Sequence, residues 1–326
     1  MKNEKKRGKG MFIFICILAF FVSVLIGAIS KVAIKPEWSK KYYVEWSDEI
    51  GTLYEDISYG DEESNKFDLY LPKDSNKETY GLVVYLHAGG FTSGDKSDDK
   101  SMLSWLCSKG YVAVGINYTL RTEDNDKSVY SQSMEIKSAI PKVIEEAEKY
   151  GYKIDGITMS GGSAGGALAM LYAYRDAEES PVPVKMMFEM VGPSSYFVED
   201  WDNYGLGQDT DESIEAGAGL FSVMGGVEIT PEMIKDGSYQ ELLKQISAYT
   251  FVNEKSVPSV LLYGKHDRIQ PYKGVRHLEK ALKDNGVDYK LFIAEHSGHG
   301  VQNDDKVMKA FMETVEEYLD KYMPVK

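Results

Sequence analysis

The alternation of short apolar runs with helix-length amphipathic segments constrains this chain more than any other feature. Tyr80–Leu86 is continuously apolar, the pattern of a strand buried on both faces of a parallel sheet, and residues 111–117 read the same way. Val184–Met190, Tyr289–Ala294, 157–159 and 259–263 are further strands. Between them lie helical segments at 101–109, ended by Gly110, and at 164–174, 275–283 and 306–322. Over 130–150 the residues Ile136, Ile140, Val143, Ile144 and Ala147 share one helical face. Strand alternating with helix predicts an α/β domain, its mostly parallel sheet covered by helices on both faces. Residues 52–59 and 66–71, joined by a polar turn, predict an antiparallel edge. The alternation stops between Gly192 and about Thr250, a stretch rich in glycine and aromatic residues that reads as an insertion able to cap a site.

Charge is placed unevenly along the 326 residues. The net charge is −14, yet Lys2, Lys5, Lys6, Arg7 and Lys9 face one acid, Glu4, within residues 1–10, so that segment is +4 and the rest −18. An acidic body argues against nucleic acid as a partner, because phosphate binding needs clustered Lys and Arg. It also weighs against a strongly anionic substrate. Two cysteines, Cys16 and Cys107, build no disulfide framework.

Residues 11–29 are uncharged and just long enough to cross a hydrocarbon core as a helix. The basic residues before them predict an export signal that leaves 1–10 in the cytoplasm. Either this is an uncleaved anchor, the favoured reading given its length, or a signal peptide cut after Ala28-Ile29-Ser30. The expected organisation is therefore an anchor or signal at 1–30, a juxtamembrane segment at 31–51 and an α/β domain at 52–326 with 193–250 as a cap insertion. Its expected location is outside the cytoplasm, membrane-anchored or secreted. Trp38, Tyr42, Tyr43 and Trp46 form an interfacial aromatic belt or simply begin the folded domain.

Four signals carry chemistry. Gly161-Gly162-Ser163-Ala164-Gly165 falls between a strand and a helix, the context of a nucleophile elbow. Glycines at both ends let strand and helix approach while the serine hydroxyl projects. His87-Ala88-Gly89-Gly90-Phe91 directly follows a buried strand. Glycine there lets backbone amides approach a developing oxyanion, so Gly89, Gly90 and Ala164 are the candidate donors and His87 a brace for the loop. Gly264-Lys265-His266-Asp267 and Ser297-Gly298-His299-Gly300 each follow a strand and complete the order serine, acid, histidine. His299 would take the proton of Ser163, and Asp267 would orient His299. Among the other histidines, His277 reads as a surface residue in mid-helix, His266 as pointing elsewhere, and His296 as the one competitor for the base. Glycines on both sides of His299 favour it. A His296/His299 metal pair has no third ligand in a matching place.

These motifs, with Asp68-Leu69-Tyr70-Leu71-Pro72, His87 to Lys96 and Asn117-Tyr118-Thr119-Leu120, resemble the α/β-hydrolase superfamily, on the side of the hormone-sensitive-lipase-like and acetyl-xylan or feruloyl esterase-like carboxylesterases. The resemblance spans roughly 52–322. It implies the α/β-hydrolase fold and acyl-enzyme ester hydrolysis, with no metal or organic cofactor. Three departures stand out. Ala88 replaces the first of three usual glycines, Gly162 stands where lipase-like members carry Asp, and Thr119 replaces a frequent Arg. The expected substrate is a small-molecule or carbohydrate ester with a short acyl group, since Tyr196, Phe197, Trp201, Tyr204 and Phe221 offer rings to stack on a sugar or to pack the cap onto the body. The alternatives are an exopeptidase of the same fold and a degenerate hydrolase that only binds.

Overall fold

The structure, a computed structural model, describes residues 36–325. The apolar run 11–29 and Cys16 lie outside the described residues, among which no helix is long and apolar enough to cross a membrane. One compact unit ends at Tyr42, and its described part is a 3-10 turn over Glu37–Tyr42. The other runs from Tyr43 to Lys326 and holds the sheet.

Eight strands, β1 (Gly51–Ser58), β2 (Lys66–Pro72), β3 (Tyr80–Leu86), β4 (Val112–Ile116), β5 (Ile154–Gly162), β6 (Val184–Met190), β7 (Ser259–Gly264) and β8 (Tyr289–Ala294), pair in the order 1-2-4-3-5-6-7-8. The β1–β2 and β2–β4 pairs are antiparallel and the rest parallel. The helices are α1 (Lys100–Ser108), α2 (Val129–Lys149), α3 (Ala164–Leu171), α4 (Asp211–Gly225), α5 (Pro231–Asp236), α6 (Tyr239–Leu243), α7 (Val275–Asp284) and α8 (Asp305–Tyr322). The α/β architecture expected from the alternation is the one observed. Every residue of β4 and all but Gly81 of β3 are buried, as their apolar runs require.

Two elements differ from expectation. The strand read at 157–159 extends over nine residues, because the polar Ser160 inside it is satisfied by donating to the Val84 carbonyl at 2.7 Å. The helix read at 164–174 stays α-helical only to Leu171 and continues as a π turn over Tyr172–Asp176. There Asp176 is buried against Arg175 and Lys137.

The interval 193–250 contains no strand, but α4, α5, α6 and short 3-10 turns. Tyr196, Trp201, Phe221 and Tyr239 are buried and pack ring against ring at centroid distances of 5.8 to 6.1 Å. On α4, Gly217 faces aliphatic side chains instead: a Cβ there would stand 3.3 Å from Val198 Cγ1. Tyr196, Trp201 and Phe221 are thus packing residues, unavailable to a sugar. Phe197 stacks on His277 at 4.2 Å, while Tyr204 stays 45% exposed with its hydroxyl on the Ile269 carbonyl. His277 is half-buried rather than free at the surface: its side chain is 23% exposed, and its Nε2 lies 2.8 Å from the fully buried Asp200, which Arg276 also grips at 2.7 Å. Trp46 packs edge-on against Tyr70 at 5.1 Å and so belongs to the folded domain.

Candidate active site

The parallel strands end in register. Leu86 of β3 pairs with Gly161 of β5, Gly162 with Met190 of β6, and Gly264 of β7 with Ala294 of β8. The loops carrying His87, Ser163, Asp267 and His299 therefore leave the sheet at one edge, the carboxyl ends of the strands, where open α/β sheets form their clefts.

At the elbow Ser163 has φ 53° and ψ −118°, a conformation that costs an L-residue about 1–3 kcal/mol. Its amide donates to Met190 O at 2.7 Å, which ties the strained turn to β6. The flanking glycines are needed for close approach. A Cβ on Gly165 would stand 1.9 Å from Leu86 O, and one on Gly161 would stand 2.5 Å from the Gly165 carbonyl carbon. Gly162 is different: a Cβ there would meet only the Tyr85 hydroxyl, at 3.9 Å. A Cβ at this place therefore has room.

Three residues far apart in sequence meet above the elbow. His299 Nε2 lies 2.8 Å from Ser163 Oγ, and His299 Nδ1 lies 2.7 Å from Asp267 Oδ2. The other carboxylate oxygen accepts from the amides of Ile269 and Gln270 at 2.8 and 2.9 Å. Asp267 is thus held on both oxygens, and its side chain is 1% exposed. The two loops press together where a Cβ on Gly264 would stand 2.2 Å from Gly298 O, and His266 N donates to Ser297 O. The glycine that this contact requires is Gly264; a Cβ on Gly298 would meet His266 O at 3.2 Å. The left-handed residue of the loop is not Gly300 but Val301, with φ 51°. The rival His296 turns away, 81% exposed, with Nδ1 3.0 Å from Asp304.

The loop after β3 lies on the other side. Gly89 and Gly90 both have positive φ, 126° and 61°, and neither amide donates to a protein acceptor among the described residues. Ala164 opens α3, so its amide is one of the four that a helix leaves unpaired. His87 is buried, stacked on Tyr118 at 4.3 Å with Nδ1 2.7 Å from Ala88 O, and burial holds its pKa below the usual imidazole range. It is placed as a brace.

A polar network that the sequence did not disclose anchors this loop. Lys96, 7% exposed at its side chain, reaches Asp56 at 2.9 Å and Asp68 at 3.2 Å. Its amide donates to Asn117 Oδ1, while Asn117 Nδ2 donates to Asp95. Asp68, Lys96 and Asn117 are quoted above for resemblance alone; in space they are one cluster. A second buried group, Glu189 on β6, accepts the Gly192 amide at 2.7 Å, and burial raises its carboxyl to about 8. It lies against the elbow helix, because a Cβ on Gly166 would meet it at 2.8 Å. Cys107 is buried in α1 and its thiol is pushed up to about 12, so it offers no nucleophile.

Known proteins are similar to this chain in sequence and fold. The BD-FAE family model matches residues 67–216. A kynurenine formamidase of Danio rerio is 29% identical over 131 residues, 40% of this chain and 42% of its own length. The chain therefore spans well under half of that relative. Esterase B of Lactobacillus rhamnosis superposes with a TM-score of 0.62 at 19% identity, over 92% of this chain and 94% of that one. A thermophilic esterase of Thermogutta terrifontis superposes with a TM-score of 0.64 at 20% identity, over 83% of this chain and 92% of that one. Sheet order, elbow and superposed esterases agree: the chain has the α/β-hydrolase fold, and its residues 67–216 are similar to the BD-FAE family.

Proposed function

We propose that this chain is a serine carboxylesterase acting on esters of short acyl groups. The observation that carries the reading is the relay from Asp267 through His299 to Ser163, at 2.7 and 2.8 Å, opposite the free amides of Gly89 and Gly90.

In this reading Ser163 Oγ attacks the ester carbonyl as its proton passes to His299 Nε2. The Gly89, Gly90 and Ala164 amides hold the oxyanion. The C–O bond to the alcohol breaks as His299 returns the proton to the departing oxygen, leaving an acyl-Ser163. Water, deprotonated by His299, releases the acid and restores the serine. Asp267 keeps the imidazole oriented and stabilises its cation without taking the proton.

Two fold neighbours support short acyl groups. The Lactobacillus rhamnosis esterase is inhibited by a C4-C4 tributyrin phosphonate, and the Thermogutta terrifontis esterase binds propionate. The uncharged run 11–29 behind a basic start supports a catalytic domain outside the cytoplasm, anchored or released.

The test is kcat/KM over p-nitrophenyl esters from acetyl to lauryl, with acetylated xylan as competitor and an aryl formamide alongside. A maximum between two and four carbons supports the reading, since each methylene is discriminated by about 1–3 kcal/mol. A maximum at eight carbons or longer contradicts the short-acyl claim. Faster turnover of the formamide moves the activity to the amide bond.

A further inference from the structure

We propose that the cavity beside the Asp267 loop is a subsite for a carboxylate carried on the alcohol part of the ester; this rests on the esterase reading above. The cavity measures about 370 Å³, and its lining includes Lys265, His266, Arg268, Tyr272, Lys273 and Asp202. Three cations, Lys265, Arg268 and Lys273, face two acids, Asp202 and Asp267, in this lining, within a chain of net charge −14.

The acids of this cavity are already engaged. Asp202 is taken by Lys273 at 2.6 Å. Asp267 spends one oxygen on two backbone amides and the other on His299. Lys265 lies 3.8 Å from Glu295, with its ammonium 4.7 Å above the Tyr272 ring. Arg268 is exposed and has no acidic partner among the described residues. Its planar fork matches a carboxylate through two parallel hydrogen bonds. A volume near the lower end for small-molecule sites suits one ring rather than a polymer segment.

The chemistry sets which half of the ester reaches it. His299 protonates the departing alcohol, so the alcohol leaves on the His299–Asp267 side, away from the Gly89–Gly90 amides. Asp267 lines the cavity and is two hydrogen bonds from Ser163 Oγ. The acidic body still repels polyanions at long range, but screening confines that repulsion to about 8–10 Å, within which the nearest charges decide.

The experiment compares p-nitrophenyl glucuronide and p-nitrophenyl glucoside monoacetylated at the same ring hydroxyl, which differ only at C6, carboxylate against hydroxymethyl, reading acetate release. Wild type is expected to favour the glucuronide about tenfold in kcat/KM, mainly through KM, equivalent to ~1.4 kcal/mol. Arg268→Gln should bring the ratio near one, and Arg268→Glu should invert it. Calorimetric titration of the wild type and Arg268→Glu with glucuronic acid and glucose reads the same subsite without turnover. It therefore separates failure of this proposal from failure of the esterase reading. Equal kcat/KM for the two sugars, glucuronic acid binding no tighter than glucose, or inorganic phosphate competing as well as glucuronic acid would each overturn the proposal.

Discussion

Ser163 Oγ and His299 Nε2 stand 2.8 Å apart although 136 positions of chain separate them. The contact is made by the sheet rather than by either loop alone. β5 and β8 run parallel with β6 and β7 between them, so the loops after them emerge on one edge. The tight seam of Gly264 against Gly298 then sets how far the histidine loop reaches.

His299→Ala and His296→Ala should differ sharply on one chromogenic ester. Loss of His299 removes the only imidazole within hydrogen-bond distance of Ser163 among the described residues, and a loss of about 10⁴-fold or more in kcat is expected. His296 is exposed and tied to Asp304, so its alanine variant should keep kcat within about tenfold. The reverse order of damage would move the base to His296.

Gly165→Ala should fail to fold stably. The added methyl would stand 1.9 Å from the Leu86 carbonyl, a backbone atom that cannot move without opening β3 from α3. The expected cost is about 3 kcal/mol or more, read as a fall in Tm. Gly162→Ala, with its nearest neighbour at 3.9 Å, should keep a near-wild-type Tm. Equal stability of the two variants would contradict the packing described at the elbow.

Stability should decline with rising pH partly through Glu189. Burial raises its folded-state carboxyl to about 8, above the unfolded value near 4.5. The folded state therefore holds a proton that the unfolded state has released. The contribution is full below about 4.5 and is lost as pH rises through about 8. Glu189→Gln keeps an acceptor for the Gly192 amide and cannot ionise. The fall in Tm from pH 7 to pH 9 should be smaller in the variant than in wild type; parallel curves would show that Glu189 does not titrate there.

Much of this architecture is legible in the sequence because its signals are local. The apolar runs of β3 and β4 and the helical face of α2 follow from burial on fixed periods. The elbow is legible because glycine spacing encodes a steric limit. What the sequence conceals is pairing at long range. Asp200 looks like one more surface acid until Arg276 and His277, over seventy positions on, enclose it. Lys96 looks like a loop lysine, yet it is buried between Asp56 and Asp68. The aromatic residues of 193–250 carry no mark of orientation, and a Trp or Tyr that fills a core reads the same as one that faces a ligand.

The central claim, that Ser163 is the nucleophile, is tested most directly by covalent labelling. The protein is treated with a fluorophosphonate probe, digested, and its peptides weighed, for wild type and Ser163→Ala. The account predicts one adduct, on Ser163, with ester hydrolysis lost in step with labelling. In the alanine variant it predicts no adduct and a fall in kcat of about 10⁶-fold, the size seen when the serine of such a relay is removed. An adduct on another residue, or an alanine variant retaining a tenth of wild-type activity, would contradict it.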